Sequence, residues 1–489
     1  MTTQIPDPPQ LRLTAVRFRL LPATFAVAAM LSGCTSLLPQ RASLAEAPVP
    51  SAWTQSSTLP VAAGSVVSLA QWWQRFDDPA LGALVMQALL ANTDVRTAQA
   101  ALQQSRALRD GKLANLGLTL KGSASAQRNQ TDSNDATNSF QAGFDASWEP
   151  DVFGGQRSTL NAAQADAQAA EASLANVQVS LAAEVAVTYI ELRGLQSRLA
   201  IARNSLATQS ETLQITRWRA QAGLVSSLDV EQAVAASEQT SAQIPSLITS
   251  VTQNLNSLAV LTGQAPGALQ GTLGAITSPP VQVPQAPGDL VLAIPAQTLR
   301  QRPDVRVAEY RISAALSRVA QADAARYPGF QISGSLGLRA LTLATVSSGA
   351  SVVNALLASV SVPLFDGGAA RAQVRAQEAA LEQARVGYQA TVLTALKDVE
   401  DALIALQGDR ERLARLQSAT VAAANADLLA RQRYSSGLID FRTVLDTQRT
   451  LLSAQDSVET TRASLSADHV RLYKALGGGW IPDTQTSAP

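Results

Sequence analysis

The chain has 489 residues, with 38 basic and 38 acidic side chains and therefore a formal net charge of zero. This balance gives no basic surface for nucleic acid and argues against a nucleic-acid-binding protein. Hydrophobic residues make up 46% of the sequence but aromatic residues only 4%, so bulky side chains contribute little of the apolar content. Such a composition is typical of long, closely packed helices.

The first residues of the chain have the pattern of an export signal. Three arginines precede the apolar stretch 20–31, and Leu-Ser-Gly leads directly into Cys34. The stretch is too short to span a membrane as a helix and predicts a secretory signal. The ending is similar to a lipoprotein signal, with Cys34 acylated after removal of residues 1–33; the alternative is an ordinary signal peptide with a chance cysteine. Two or more acyl chains would give stable anchoring.

Short motifs occur twice in the chain, in the same order and about 210 residues apart, too long a period for a solenoid of short repeats. Asp94 and Asp304 each open an Ala-rich segment, and Gly223 and Gly437 each follow a long one. We predict two copies of one unit. The predicted order is the signal 1–33, an N-terminal extended segment 34–71, the first copy 72–262, a linker 263–295, the second copy 296–476 and a tail 477–489.

Each predicted copy contains two segments in which apolar and polar residues alternate. Phe140, Phe144 and Trp148 share one parity opposite polar neighbours. A period of two predicts a β-strand with one apolar face. We therefore predict β-hairpins at about 116–149 and 329–365, with strands of roughly ten residues, the length of a tilted membrane strand. A soluble sandwich is the alternative, but four strands offer no second sheet to cover them.

A very long helix is predicted after each hairpin. Residues 158–221 and 369–435 contain no proline. A helix over the first of these ranges would be roughly 96 Å long at 1.5 Å per residue. We predict that each long helix turns at a glycine and is followed by a return helix, residues 228–261 and 441–476. Pro245 lies inside the first return helix and is expected to kink or divide it.

The number of predicted strands requires more than one copy of the chain. About eight strands are the practical minimum for a closed barrel, and an open sheet edge in lipid would leave unpaired backbone groups. Two copies would give eight strands and three would give twelve. The residues alone leave both possibilities open, although only twelve strands leave room for a pore.

Residues typical of an active site are scarce. The chain has one cysteine and one histidine, His469, and neither a metal-spaced cluster nor a phosphate loop nor a nucleophile motif is present. We therefore expect no enzyme, no cofactor and no metal site, and we expect His469 to serve packing or to lie at the surface. A structural or adhesive coiled-coil lipoprotein without a pore remains the competing hypothesis, and a soluble periplasmic enzyme is a second.

Longer motifs are spread over nearly the whole predicted mature chain. They are WWQRF at 72–76, DPAL at 78–81, WEPDVFG at 148–154, RPDVR at 302–306, VPLFDGG at 362–368, LDTQR at 445–449 and LYKALGGGW at 472–480. In this order they resemble the TolC-like outer-membrane factor family, in particular its lipoprotein branch of the OprM and NodT type, which serves RND efflux pumps.

The resemblance implies a mainly helical fold with a small β part. In that family a homotrimer forms a 12-stranded barrel in the outer membrane and a 12-helix tunnel of helical hairpins in the periplasm. The implied partners are a periplasmic adaptor protein and an inner-membrane RND transporter, and the implied function is the passive exit duct of a tripartite efflux system. An exit duct for type I secretion or for metal efflux is the alternative within this resemblance.

The resemblance also implies a periplasmic gate. Asp446 and Arg449 match the family's acidic and basic gate positions in the second helical hairpin, Asp229 matches the acidic position in the first, and Tyr434 matches an aromatic position. Arg442 stands where the OprM branch has an apolar residue, which leaves the composition of the closed gate open. The residues that match the adaptor-docking turns at the hairpin tips are Gly223, Leu224, Gly437 and Leu438.

Overall fold

The structure is a computed structural model that describes residues 49–54, 61–63, 69–130, 136–274, 282–286, 290–292, 298–299, 301–346, 348 and 350–480. The predicted signal 1–33, Cys34, much of the linker and the tail beyond residue 480 lie outside the described residues.

Seven helices of 13 or more residues and six strands account for most of the described chain, which also contains the short helix Gln270–Leu273. The helices are α1 (Pro79–Ala91), α2 (Thr93–Ala114), α3 (Gly155–Gln221), α4 (Ser227–Leu261), α5 (Pro303–Ala324), α6 (Ala369–Ser435) and α7 (Phe441–Ala475). The strands are β1 (Val61–Ala63), β2 (Thr119–Asn129), β3 (Thr137–Trp148), β4 (Leu290–Leu292), β5 (Gly329–Ala340) and β6 (Ser351–Ser361). The predicted fold class, mainly helical with a small β part, is confirmed.

The two halves of the chain have matching elements. Helices α2 and α5 have 22 residues each, α3 and α6 have 67 each, and α4 and α7 have 35 each. At 1.5 Å per residue the longest helices are about 100 Å long. A β-hairpin precedes each of them. Equal lengths in equal order are what an internal repeat requires.

The long helix α3 contains a stretch that is long and apolar enough to cross a membrane, but half of that stretch is buried inside the protein. Its small residues allow close packing. A Cβ atom added to Gly194 would lie 2.9 Å from the Cβ atom of Ala463 on α7. The apolar composition of α3 therefore serves helix packing at this level.

Helix α4 is continuous through Pro245. Of the two predicted effects of this proline, a kink or a division of the return helix, the division does not occur. Pro245 lies on the exposed side of the helix, so water can reach the carbonyl group that loses its backbone donor. Buried side chains on both sides of it, Ala236 and Val251, pack the helix in place. Tertiary packing thus overrides the local preference of proline.

The larger sheet has the strand order β2-β3-β5-β6, and every neighbouring pair is antiparallel. Its first strand begins at Thr119 rather than 116, and its last strand ends at Ser361 rather than 365. One face is apolar: Phe144 lies between Gly122 and Leu336 in the strand register. Leu356 on the same face is 83% exposed. The outer strands β2 and β6 have no further strand beside them in the described chain.

A second, two-stranded sheet was not expected from the sequence. Strand β1 pairs with β4 in parallel, so that the N-terminal segment and the linker between the two halves are joined. Three-residue strands carry too little alternation to be detected by periodicity.

The main hydrophobic core lies where α1 packs on the middle of the long helices. Trp72 and Tyr473 are fully buried and stack with ring centroids 5.6 Å apart. Asp78 caps α1 by accepting hydrogen bonds from the amides of its first turn, and it also accepts one from the Tyr189 hydroxyl at 2.9 Å. Arg193 donates to that hydroxyl at 3.0 Å, while burial raises the pKa of Tyr189 to about 12. The core thus explains the conspicuous WWQRF and DPAL motifs.

His469 belongs to this core. It is 3% exposed, and burial, with the nearby charges of Arg410 and Arg75, lowers the pKa of its imidazole to about 4. Of the two roles expected from the sequence, packing is therefore the one it has. The buried imidazole is neutral at physiological pH.

The depressed pKa of His469 predicts a loss of stability in acid. The unfolded chain binds a proton near pH 6.5 and the folded chain only near pH 4, so the free energy of unfolding falls as the pH drops between these values. The loss reaches at most ~3 kcal/mol per subunit. Urea unfolding of the wild type and of His469→Gln, at neutral pH and at pH about 4.5, measures it.

The variant should lose less stability than the wild type over this interval. Half-buried Glu459 and buried Asp468, whose pKa values are raised by desolvation, act in the opposite direction but are present in both proteins and cancel in the comparison. Parallel pH dependences of the two proteins would contradict the assignment.

Candidate functional site

The two helical hairpins end in turns of the same geometry. Gly223 and Gly437 have φ angles of +73° and +72°, a conformation that favours glycine. The amide of Leu224 donates to the carbonyl of Arg219 at 2.8 Å, and the amide of Leu438 donates to that of Arg433 at 2.9 Å. This is a Schellman motif at the end of each long helix. The glycines predicted to reverse the chain do so.

The leucine that follows each of these glycines is exposed. Leu224 and Leu438 are both 73% exposed. In a Schellman motif the apolar residue at this position frequently packs back against the helix end. Here most of each leucine side chain remains exposed to solvent. Two equivalent apolar side chains therefore project from the hairpin tips.

Each return helix begins with a side-chain cap. The amide and hydroxyl of Ser226 donate to the Asp229 carboxylate at 2.9 and 2.8 Å, while the Ser226 hydroxyl accepts from the amide of Asp229. Asp440 accepts from the amide and the hydroxyl of Thr443 at 3.0 and 2.5 Å. These hydrogen bonds from Thr443 hold the pKa of Asp440 below its usual value. Asp229 thus has a local role in starting α4.

Arg219 joins the two hairpins at their tips. Its guanidinium group donates to the backbone carbonyls of Tyr434 and Ser435, at 3.1 and 3.0 Å, and lies 4.6 Å from the centroid of the Tyr434 ring. The last carbonyls of a helix have no donor within that helix. Arg219 at the end of α3 therefore caps the end of α6. The sequence did not reveal this contact because Arg219 and Tyr434 are 215 residues apart.

Tyr434 is buried at the base of the second tip. Its ring packs against Phe441 at 5.4 Å between centroids, in a small apolar cluster that includes Val444 and Leu445. Its hydroxyl has no hydrogen-bond partner among the residues that the structure describes. The side chain is therefore held by packing.

Three of the charged residues predicted for the gate, Arg442, Asp446 and Arg449, lie on α7 next to this cluster, whereas Asp229 lies on α4. The closest atoms of Arg442 and Asp446 are 3.9 Å apart, and both side chains are well exposed, at 80% and 61%. No ion pair joins Asp446 to Arg449 in the described part of the chain. Arg449 instead lines a cavity of about 530 Å³ beside the ion pair between Arg198 and Asp456, whose atoms approach to 2.6 Å.

The Arg198–Asp456 pair is a second link between the hairpins that the sequence did not indicate. Arg198 on α3 donates to both carboxylate oxygens of Asp456 on α7, at 2.6 and 3.2 Å. Paired, planar contacts of this kind fix geometry as well as charge. The two hairpins are thus joined at the tips by Arg219 and further up by Arg198.

The sequence matches the family of outer membrane efflux proteins over residues 84–264 and 294–478, one match in each half of the chain. The chain belongs to this family. An outer membrane efflux protein of Pseudomonas putida named TtgC, a probable efflux pump component, is 30% identical over 472 residues, which are 94% of this chain and 96% of that protein. The pyoverdine export outer membrane protein OpmQ of Pseudomonas aeruginosa is 32% identical over 85% of this chain and 89% of that protein.

Solved channel structures agree with this membership. The outer-membrane channel OprN superposes with a TM-score of 0.82 at 33% identity and covers 89% of this chain and 98% of its own. The open state of the MtrE channel of Neisseria gonorrhoeae gives a TM-score of 0.80 at 26% identity, over 92% of this chain and 100% of that chain. This outer membrane efflux protein is therefore the channel component of an efflux system, in the outer membrane, and its family is one of transport proteins.

Removal of the Arg219 link should loosen the tips. In Arg219→Met the carbonyls at the end of α6 lose a charged donor, and we expect amide hydrogen exchange in residues 430–438 to become roughly tenfold faster. Arg217→Met is the matched control, because Arg217 lies two residues away on the exposed face of the same helix. Equal exchange rates in both variants would show that Arg219 does not hold the tips together.

Proposed function

We propose that three copies of the chain form one passive exit duct. The four-stranded sheet carries this proposal. Because its strands alternate in direction, β6 of one copy runs antiparallel to β2 of the next, and the same contact can repeat until the ring closes. Twelve strands leave room for a pore, whereas eight would be filled by side chains. The exposed apolar face would then contact lipid, and the polar face would line the pore.

The helical hairpins then extend into the periplasm, where a periplasmic adaptor protein and an inner-membrane RND transporter are the proposed partners. The relatives are named for different exported compounds, among them antibiotics, toluene and pyoverdine. A duct that serves such different compounds does not need a selective binding site. We propose that this chain conducts small organic molecules chosen by the pump.

Acylation of Cys34 is part of the proposal and rests on the sequence that precedes it. A closed barrel would hold the membrane without an acyl chain. We therefore assign Cys34 to sorting and anchoring, and we expect its replacement to reduce delivery to the outer membrane more than it alters the pore.

The assignment of the sheet faces is tested by two arginine substitutions in one strand. Leu356→Arg places a charge on the proposed lipid face, which costs about 2–4 kcal/mol near the middle of the bilayer. Ser359→Arg places the same charge on the opposite, polar face of β6. We expect the first variant to be depleted from outer-membrane fractions and the second to be present at the wild-type level. Equal amounts of both would contradict the assignment.

We propose that Asp446, Arg449, Arg442, Asp229 and Tyr434 form the periplasmic gate. In a trimer each of these residues occurs three times around the axis. Three copies of Asp446 facing one axis would repel one another, so the nearby guanidinium of Arg442 is needed to hold the ring closed. The exposure of both side chains in the single subunit supports a contact between subunits at this level.

Asp446→Ala should loosen the closed state and raise the single-channel conductance in planar bilayers. Asp401→Ala is the control, since Asp401 is also an exposed acid paired with a basic residue one turn away, at Lys397, but lies far along α6 from the tip. An unchanged conductance for Asp446→Ala would remove Asp446 from the gate.

We propose that Gly223, Leu224, Gly437 and Leu438 dock the adaptor. The exposed leucines offer two identical apolar contacts per subunit. A bulky residue at Gly437 should abolish efflux, but its positive φ angle means that such a change also strains the turn. Leu438→Asp leaves the turn intact and is the sharper test.

Leu438→Asp should abolish efflux in cells while the purified protein keeps its oligomeric state and conductance. Leu343→Asp is matched to it, because Leu343 is 72% exposed but lies between β5 and β6 at the other end of the second repeat. Efflux that persists in Leu438→Asp would contradict a docking role for this leucine.

A further inference from the structure

A small cavity lies between the two hairpins, where α3, α6 and α7 meet. Its volume is about 140 Å³. Asp427 reaches it from α6, Gln209 from α3 and Gln448 from α7. It is separate from the tip turns and from the residues proposed for the gate.

The three side chains are buried, and each has one oxygen that no donor satisfies. Asp427, Gln209 and Gln448 are 2%, 4% and 5% exposed. Asp427 Oδ1, Gln209 Oε1 and Gln448 Oε1 have no hydrogen-bond partner among the described residues. Most buried polar atoms in proteins are paired, so three acceptors around one cavity require a common explanation.

The other atoms of these side chains are already engaged. The Gln209 amide nitrogen donates to Ser205 at 3.3 Å, and that of Gln448 donates to Thr212 at 3.2 Å. The other carboxylate oxygen of Asp427 pairs with Arg431 at 2.7 Å. The Thr212 hydroxyl already donates to the Thr208 carbonyl, so it accepts from Gln448 and leaves the Gln448 amide oxygen as the free atom. Gln209 is placed in the same way, with its nitrogen towards Ser205. The side chains that line the cavity therefore carry one carboxylate oxygen and two amide oxygens without a donor.

Oxygen atoms without donors are the ligands of a hard cation. The described residues include no group of three or more His, Cys, Asp and Glu side chains that could hold a metal ion, and the cavity lining contains one carboxylate, that of Asp427. One carboxylate with neutral carbonyl oxygens suits a singly charged ion, whose hydration shell carbonyl oxygens can replace. A bound water could donate to only two of the three acceptors.

We propose that Asp427, Gln209 and Gln448 bind one alkali cation of the K⁺ or Na⁺ class between the three helices. The ion joins α6 to both α3 and α7, in addition to the Arg198–Asp456 pair. Arg431 is close enough to weaken the binding through charge repulsion, so the site is tuned to moderate affinity. The proposal does not depend on the gate or the pore.

Thermal unfolding of the detergent-purified full chain tests the site. The melting temperature should rise with added KCl relative to the same concentration of N-methyl-D-glucamine chloride, whose cation is too large for the cavity. The K⁺-dependent rise should vanish in Asp427→Asn and persist in Asp456→Asn, which removes an acid from the neighbouring ion pair. A rise that is equal in all three proteins would overturn the proposal.

Two further variants keep the test decisive if Asp427→Asn does not fold. Gln448→Met removes a neutral oxygen and should also abolish the rise. Arg431→Gln removes the competing charge and should lower the half-saturating K⁺ concentration roughly tenfold. In crystals soaked with thallium(I), anomalous scattering should show one Tl⁺ per subunit in this cavity. A cavity without an anomalous peak, or an unchanged K⁺ response in Arg431→Gln, would refute a cation site.

Discussion

Backbone hydrogen bonding at the edges of the four-stranded sheet is the constraint on which the rest of the account depends. Strands β2 and β6 each carry a row of donors and acceptors without a neighbouring strand in the described chain, and the apolar face between them is exposed. In water such a sheet is prone to aggregate, and in lipid each unpaired backbone N–H or C=O group costs several kcal/mol. Pairing with the sheets of further subunits removes both difficulties. Each subunit then contributes four strands to one closed ring.

The long helices form the part of the protein that we propose to be the tunnel of the trimer. Helices α3 and α6 each follow a hairpin, and α4 and α7 return along them. The core around Trp72 and Tyr473 holds α3 and α6 near their middle, while Arg219 and Arg198 join the hairpins towards the tips. Side-chain links between helices are easier to break than a buried apolar core. The part of the molecule proposed to open is held by these polar contacts and by the small apolar cluster around Tyr434 and Phe441, and not by the main core.

Most of the fold was accessible from the sequence because it follows from local patterns. Alternation from Phe140 to Trp148 predicts β3, and the absence of proline predicts α3 and α6 almost to the residue. Gly223 and Gly437 mark the turns because only glycine adopts a positive φ angle without strain. Pro245 does not divide α4, and the sequence does not show this because the cost of a proline depends on whether the freed carbonyl faces water or protein.

What the sequence did not reveal consists of contacts between distant residues. Arg219 caps a helix that ends more than 200 residues later, Arg198 pairs with Asp456 across a similar separation, and three acceptors meet at the Asp427 cavity. None of these residues carries a local signal, because arginines and glutamines are ordinary on helix surfaces. The gate positions came from the resemblance to a family, and the geometry of a single subunit brings only Arg442 and Asp446 near each other.

The number of subunits tests the central claim most directly. Electron microscopy of the detergent-purified protein should give particles with threefold symmetry, and native mass spectrometry should give a complex of three chains. A compact monomer, or a closed dimer with eight strands, would contradict the account of how the sheet edges are paired.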